Sequence, residues 1–144
     1  MAKRILVALD RTTAPETLLD FVSDAARGSG ATVRLLHVAP EPDSFVDTEG
    51  RTVVYVDQEL ARLQAEGLDA LRSFELHFGD SDVDSVVRFG DPAHEILLEA
   101  EEFGAELIAM PTSRNAIKRV VCGSVAEKVA RMAPMAVLLL RPPA

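Results

Sequence analysis

The stretch VVRFGDPAHEILLEAEEFGAELIAM, residues 86–110, contains a strand, a helix and a second strand, which is the order typical of a parallel sheet. Asp91 and Pro92 are the residue types expected at a helix N-cap and at the first helical position. The apolar runs on either side predict strands at 84–90 and 105–110. Apolar residues recur at helical spacing between them and predict the inner face of the helix: Ala93, Ile96, Leu97, Ala100 and Phe103.

The rest of the chain repeats this alternation. Further strands are predicted at 4–10, 32–40 and 135–141. A helix capped by Thr13 follows the first strand, and others are predicted at 54–78 and 124–133. We therefore predict one α/β domain over residues 1–144, an open five-stranded parallel sheet with helices on both faces. The core-facing residues predicted for the first two of these helices are Leu18, Phe21, Val22 and Ala25, then Leu60, Leu63, Gly67, Leu71 and Phe74.

Two helical features carry further expectations. Gly67 costs about 1 kcal/mol against alanine in a helix, so its presence on an inner face predicts a close approach to a neighbouring element. The acidic residues of the helix after Asp91 fall mostly on its outer face and are predicted to be solvated: Glu95, Glu99, Glu101 and Glu102.

Composition excludes several classes of protein. A formal net charge of −8 argues against general binding to nucleic acid or to an anionic membrane. No apolar run approaches the roughly 18 residues of a membrane span. Cys122 is the single cysteine, and His37, His77 and His94 are spaced too widely for a recognisable metal site. We expect a cytoplasmic protein without a metal.

A ligand site in such a sheet is expected beyond the carboxyl ends of the strands, where the strand order reverses. Asp10, the segment around Val38 and the loop 111–123 all follow predicted strands. Ser124 begins the sequence SVAE, which also reads as a capping box with Glu127, so a helix cap alone explains it equally well.

Several segments, taken in order, resemble a universal stress protein of the UspA-like family. They are RILVALD, TVRLLHV, the stretch quoted above and, most clearly, GSVAEKVARMAPMAVLLLR at 123–141. The resemblance covers nearly the whole chain. It implies the strand order 3-2-1-4-5 and a homodimer formed through the last strand, residues 135–141.

In the family that the chain resembles, the members that bind ATP carry the sequence motif G-x2-G-x9-G-[ST] after the fourth strand. The resemblance implies that Asp10 and Val38 would hold the adenosine part, and that Gly123, Ser124 and the following Val125 would lie at the phosphates. The first half of the pattern differs: Pro111 and Arg114 replace its two glycines, and the loop is one residue shorter. Proline lacks an N–H, and Arg114 resists the positive φ that glycine adopts.

The altered motif predicts a stress-response regulator that binds ATP weakly or not at all, has no catalytic residues, and acts through dimerisation and partner contacts. The alternative is a protein that still binds ATP with Mg, ADP or AMP, with Arg114 and Lys118 replacing the missing glycines. A flavin carrier or a phosphate-accepting receiver is disfavoured, because DRTTAPET contains no glycine and Asp10 has no acidic neighbour.

Overall fold

The computed structural model describes residues 3–9, 16–41, 56–112 and 124–141. Strands and helices alternate along these ranges, and a 3₁₀ turn at Leu76–Phe78 follows the second helix. The elements are β1 (Arg4–Leu9), α1 (Glu16–Ser29), β2 (Thr32–Ala39), α2 (Val56–Glu75), β3 (Val83–Phe89), α3 (Pro92–Phe103), β4 (Leu107–Pro111), α4 (Ser124–Met132) and β5 (Ala136–Leu140).

The five strands form one parallel sheet in the order β3-β2-β1-β4-β5, which confirms the predicted fold class and order. β1 is central, and the order reverses between β1 and β4. Ile5, Val7 and Leu9 point to the face covered by α1 and α2, whereas Leu6 and Ala8 point to the face covered by α3 and α4. Burial on both faces explains why β1 is apolar throughout.

The N-terminus of α3 forms as predicted. The Asp91 side chain accepts a hydrogen bond from the His94 N–H at 3.0 Å, and Pro92 is the first helical residue. Gly104 ends the helix with φ 73°, a left-handed conformation that glycine adopts without strain. The Ala105 N–H bonds back to the Ala100 carbonyl, so β4 begins later than the predicted residue 105.

The predicted inner face of α1 is partly wrong, because the buried face of the helix is rotated relative to the predicted one. Phe21 is 53% exposed and Ala25 is also exposed, while Ser23 is buried. The Ser23 hydroxyl donates a hydrogen bond to the His77 carbonyl at 2.9 Å. This bond allows a polar residue to be buried, so α1 presents Ser23 to the core in place of Phe21 and Ala25. The complete buried set is Leu18, Leu19, Val22, Ser23 and Ala26.

Gly67 lies where α2 approaches the sheet closely, as predicted. A Cβ built on Gly67 would lie 2.8 Å from Cγ2 of Val87 and 3.4 Å from Cδ2 of His37. The first distance is too short for a Cβ unless the Val87 side chain shifts, whereas the second is close to an ordinary van der Waals contact. Glycine at this position therefore sets the distance between helix and sheet.

Glu99 was predicted to be solvated, and this is wrong, because the residue is only 4% exposed. It accepts hydrogen bonds from Arg34 at 3.2 Å and from Arg88 at 2.7 Å. Its helical position faces β2 and β3 rather than solvent, so the two arginines replace the water that a carboxylate needs. Of the other three acidic residues, Glu101 and Glu102 are exposed as predicted, whereas Glu95 is half-buried against Arg88.

The two arginines have further partners that fix their orientation. Arg34 donates two hydrogen bonds to Asp84, each of 2.9 Å, and its guanidinium lies 4.3 Å from the ring centroid of Phe103. The hydrogen bond to Asp84 raises the pKa of Arg34, although burial opposes the shift. Burial alone would lower the pKa of Arg88, but hydrogen bonds to its three carboxylate partners outweigh it and raise the pKa. Both side chains stay charged at any physiological pH.

We expect Gly67→Ala to lower the free energy of unfolding by about 1 kcal/mol. The added methyl overpacks against Val87, and this cost exceeds the helix propensity gained. Urea denaturation measures the change. Gly28→Ala is the matched control, since nothing lies within 4 Å of a Cβ built at that helical glycine. Equal stability of the two variants would contradict the close approach.

We expect Glu99→Ala to lower the free energy of unfolding by about 3 kcal/mol, because two half-buried guanidiniums lose their shared carboxylate. Glu101→Ala, an exposed glutamate on the same helix, should change it by no more than about 0.5 kcal/mol. Thermal and urea unfolding of both variants provide the comparison. Similar losses in the two would mean that the buried ion pairs are not stabilising.

Candidate functional site

The carboxyl ends of the central strands meet at one edge of the sheet. His37 pairs with Leu9 in the register, and Pro111 pairs with Leu140. The β1–β4 pairing ends at Val7 opposite Ala109, so Pro111 is level with Leu9 in the same register. The backbone of β1 and β4 therefore separates at this edge, where the strand order reverses. This is the position expected for a ligand.

Val38 and Val125, two of the residues predicted at the site, lie on the same side of the sheet. Both are partly buried and pack against the core cluster shared by α3 and α4. Val38 is the last residue but one of β2, and Val125 is in the first turn of α4. The fold thus places the end of β2 and the start of α4 over one face.

The other predicted site residues belong to the connecting segments. Asp10, Arg114 and Gly123 lie outside the described residues, as do Lys118 and Cys122. Ser124 is the first residue of α4, but its side chain also lies outside the described part. The predicted contacts of these residues with a ligand stay predictions.

Pro111 departs from its expected place in the loop, because it is the last residue of β4 and is buried. The next residue, Thr112, donates its N–H to the Leu140 carbonyl at 3.0 Å. Backbone groups of successive strand residues point alternately to the two neighbouring strands. The backbone nitrogen of Pro111 therefore points toward β1 and the crevice, and it carries no N–H.

The position of Pro111 affects the first glycine of the phosphate-binding motif G-x2-G-x9-G-[ST]. At Pro111 a glycine would offer an N–H to the crevice and the freedom to turn into it. Proline offers neither, and the hydrogen bond from Thr112 keeps the chain in the sheet for one residue more. The first position of the motif does not fit a phosphate held by backbone amides.

Two residues at this edge were not assigned to the site from sequence. Thr112 is a buried polar residue, 8% exposed, directly after β4. The His37 Nδ1 lies 3.4 Å from the Leu9 carbonyl oxygen and links the ends of β1 and β2 on the α2 side. A polar residue that follows an apolar strand was the available signal for Thr112.

Neither a metal-ligand cluster nor a membrane-spanning helix occurs in the described ranges. In the described ranges, His, Cys, Asp and Glu side chains do not gather in threes at a spacing that could hold a metal ion. No helix within those ranges combines the length and apolar character needed to cross a bilayer.

Comparison with known proteins assigns the family. The chain matches the universal stress protein family over residues 1–141. The universal stress protein YxiE of Bacillus subtilis (strain 168) is 31% identical in an alignment of 150 positions that covers 98% of this chain and 100% of that protein. The chain therefore belongs to the universal stress protein family.

Solved structures share the fold. Hypothetical protein MJ0577 aligns with a TM-score of 0.81 at 24% identity, covering 100% of this chain and 99% of that chain. A universal stress protein from Archaeoglobus fulgidus, solved in complex with dAMP, aligns with a TM-score of 0.60 at 23% identity, covering 95% of this chain and 96% of that chain.

Proposed function

We propose that this protein is a cytoplasmic stress-response regulator that binds ATP weakly or not at all. It acts through a homodimer and contacts with other proteins, and it catalyses no reaction. The observation that carries the proposal is Pro111, a buried strand residue whose nitrogen faces the crevice without a hydrogen atom.

The altered loop would lose two hydrogen bonds to a phosphate, because Pro111 has no N–H and Arg114 resists the backbone conformation that would direct its own N–H. Amide hydrogen bonds to a charged phosphate contribute about 1.5 to 3 kcal/mol each. Replacing the motif glycines with Pro111 and Arg114 would remove two of them. The loss corresponds to roughly two to four powers of ten in affinity. A Kd of about 1 μM would thereby rise to between about 100 μM and 10 mM.

The alternative is nucleotide binding by side chains. Arg114, Lys118 and Arg119 bring positive charge to the loop of an acidic protein and could bind phosphate in place of backbone amides. The dAMP complex of the Archaeoglobus fulgidus protein supports this alternative, because it shows that a protein of this fold accommodates an adenine nucleotide. The ligand would be ATP with Mg, ADP or AMP.

The two edges of the sheet support dimerisation through β5. At one edge β3 carries Asp84 and Arg88, and charged residues on an edge strand discourage pairing with another chain. At the other edge β5 reads AVLLL, with no charged residue among its five. Only the β5 edge is therefore suited to pair with a second copy.

The hydrogen-bonding direction of β5 can be stated residue by residue. The Leu140 carbonyl accepts from the Thr112 N–H, so the backbone groups of Leu140 point to β4. By alternation, the N–H groups of Val137 and Leu139 point to the open edge. These are the donors that an antiparallel partner strand would use.

The first test is calorimetric titration with Mg-ATP and with AMP. We expect no detectable heat at micromolar ligand. A Pro111→Gly/Arg114→Gly variant should gain affinity by at least about tenfold, because it restores the N–H at position 111 and lets the N–H at position 114 turn toward phosphate. Micromolar binding by the unaltered protein that weakens in Arg114→Ala would favour the side-chain alternative. Arg72→Ala, which removes an exposed positive charge from α2, controls for the change in net charge.

The second test concerns the dimer. Sedimentation equilibrium should show a dimer at micromolar concentration, and Leu139→Pro should raise its Kd at least about tenfold by removing an outward N–H from each chain. Leu139→Ala removes most of the same side chain but keeps the donor, so it should weaken the dimer less. A monomer at micromolar concentration in the unaltered protein would refute dimerisation through β5.

A further inference from the structure

A groove of about 610 Å³ lies at the edge of the sheet where the strands begin, opposite the crevice. Its walls are the end of α1, the turn Leu76–Phe78 and the segment 79–82 that leads into β3. Its volume is within the range of about 300 to 1,000 Å³ that is typical of ligand pockets. We call it the amino-edge groove. A nucleotide bound at the carboxyl edge would leave it free.

Buried contacts hold the walls of the amino-edge groove in place. Ser23 is buried, and its hydroxyl donates a hydrogen bond to the His77 carbonyl at 2.9 Å, which ties α1 to the turn. Phe78, only 1% exposed, belongs both to the core cluster and to the groove wall. The Ser81 N–H bonds to the Phe78 carbonyl at 2.9 Å and fixes the segment that follows. The groove is therefore formed before a ligand arrives, which lowers the cost of binding.

One wall of the groove exposes a large apolar side chain. Leu76 is 82% exposed and lines the groove together with Ala26 and Ala31. Cβ atoms built at Gly30 and Gly79 would meet nothing within 4 Å, so the groove is open at both positions. An exposed apolar side chain beside open concave space favours contact with an apolar group of a partner.

The rim of the groove is acidic. Asp80 and Asp82 line it, and within the described ranges neither pairs with a cation. The Asp20 carboxylate lies 3.3 Å from the histidine ring of the turn. Arg27 also lines the groove, but Asp24 pairs with it at 3.0 Å. Carboxylates thus outnumber the guanidinium among these residues, in a chain of net charge −8, so the groove favours a cationic partner.

We propose that the amino-edge groove binds a segment of another protein in which an apolar side chain is flanked by lysine or arginine. The inference rests on the proposed action through partner contacts. The apolar side chain would contact Leu76, and the flanking cations would lie near Asp80 and Asp82. Exposed charge pairs contribute little affinity, so the apolar contact supplies most of the binding and the charges select the partner.

NMR titration of the isotope-labelled protein with a peptide tests the proposal. The probe is a pentapeptide of alternating lysine and leucine with blocked termini. We expect saturable amide shifts concentrated at residues 26–31 and 76–82. A peptide with serine in place of leucine, and one with glutamate in place of lysine, should each bind at least about fivefold more weakly.

Two apolar variants test the contact at the groove wall. Leu76→Ser should raise the Kd of the lysine–leucine peptide at least about fivefold, because the apolar contact is lost. Phe21→Ser is the matched control, since Phe21 is also apolar and exposed but does not line the groove, and it should leave the Kd unchanged. Circular dichroism checks that both variants fold.

Two charge variants test the acidic rim. Asp80→Asn/Asp82→Asn should raise the Kd about threefold, as expected for exposed charge pairs. Asp69→Asn/Glu101→Gln makes the same change in net charge at exposed helical positions outside the groove and should have a smaller effect. Equal effects of the two double variants would mean that only the net charge attracts the peptide, and the inference would be wrong.

Shifts spread over the acidic surface, or a Kd that does not respond to Leu76→Ser, would also overturn the inference. Either result would leave the weak binding of ATP standing, because that is measured at the crevice by calorimetry. Micromolar binding of Mg-ATP with an unchanged peptide titration would refute the weak nucleotide binding and leave the groove standing.

Discussion

The pairing of β1 with both of its neighbours is the constraint on which the structure depends. β1 is buried on both faces, so its backbone N–H and carbonyl groups must be satisfied by β2 on one side and β4 on the other. The two pairings end at different heights: Leu9 still pairs with His37, whereas pairing to β4 stops at Ala109. The crevice at the carboxyl edge is the consequence of this uneven ending.

The layers on the two faces are fixed to the sheet by different means. On one face, the absence of a side chain at Gly67 brings α2 close to Val87. On the other, Glu99 is buried between Arg34 and Arg88, so α3 is held by charges rather than by close packing alone. Transfer of charges from water becomes less costly as temperature rises, so this second attachment gains relative strength on heating.

Much of the fold could be predicted because its signals are local. The cap at Asp91 and the apolar strands need only neighbouring residues, whereas the strand order came from family resemblance, since alternation alone leaves it open. The misjudged residues depend on distant partners. The Ser23 hydroxyl is hydrogen-bonded to the His77 carbonyl, and the Glu99 carboxylate is paired with two arginines of the sheet. A hydrophobic pattern in the sequence reveals neither partner. Pro111 reads as a loop residue until the hydrogen bond after it is known.

The contrast between the two sheet edges also bears on how large an assembly can grow. A strand edge that accepts another strand is a potential site of open-ended aggregation. Here Asp84 and Arg88 mark β3, and Asp84 is held in place by Arg34. If two copies join through β5, both outer edges of the combined sheet are β3 edges with charged side chains. Such a pair would then offer no uncharged edge for the growth of a fibre.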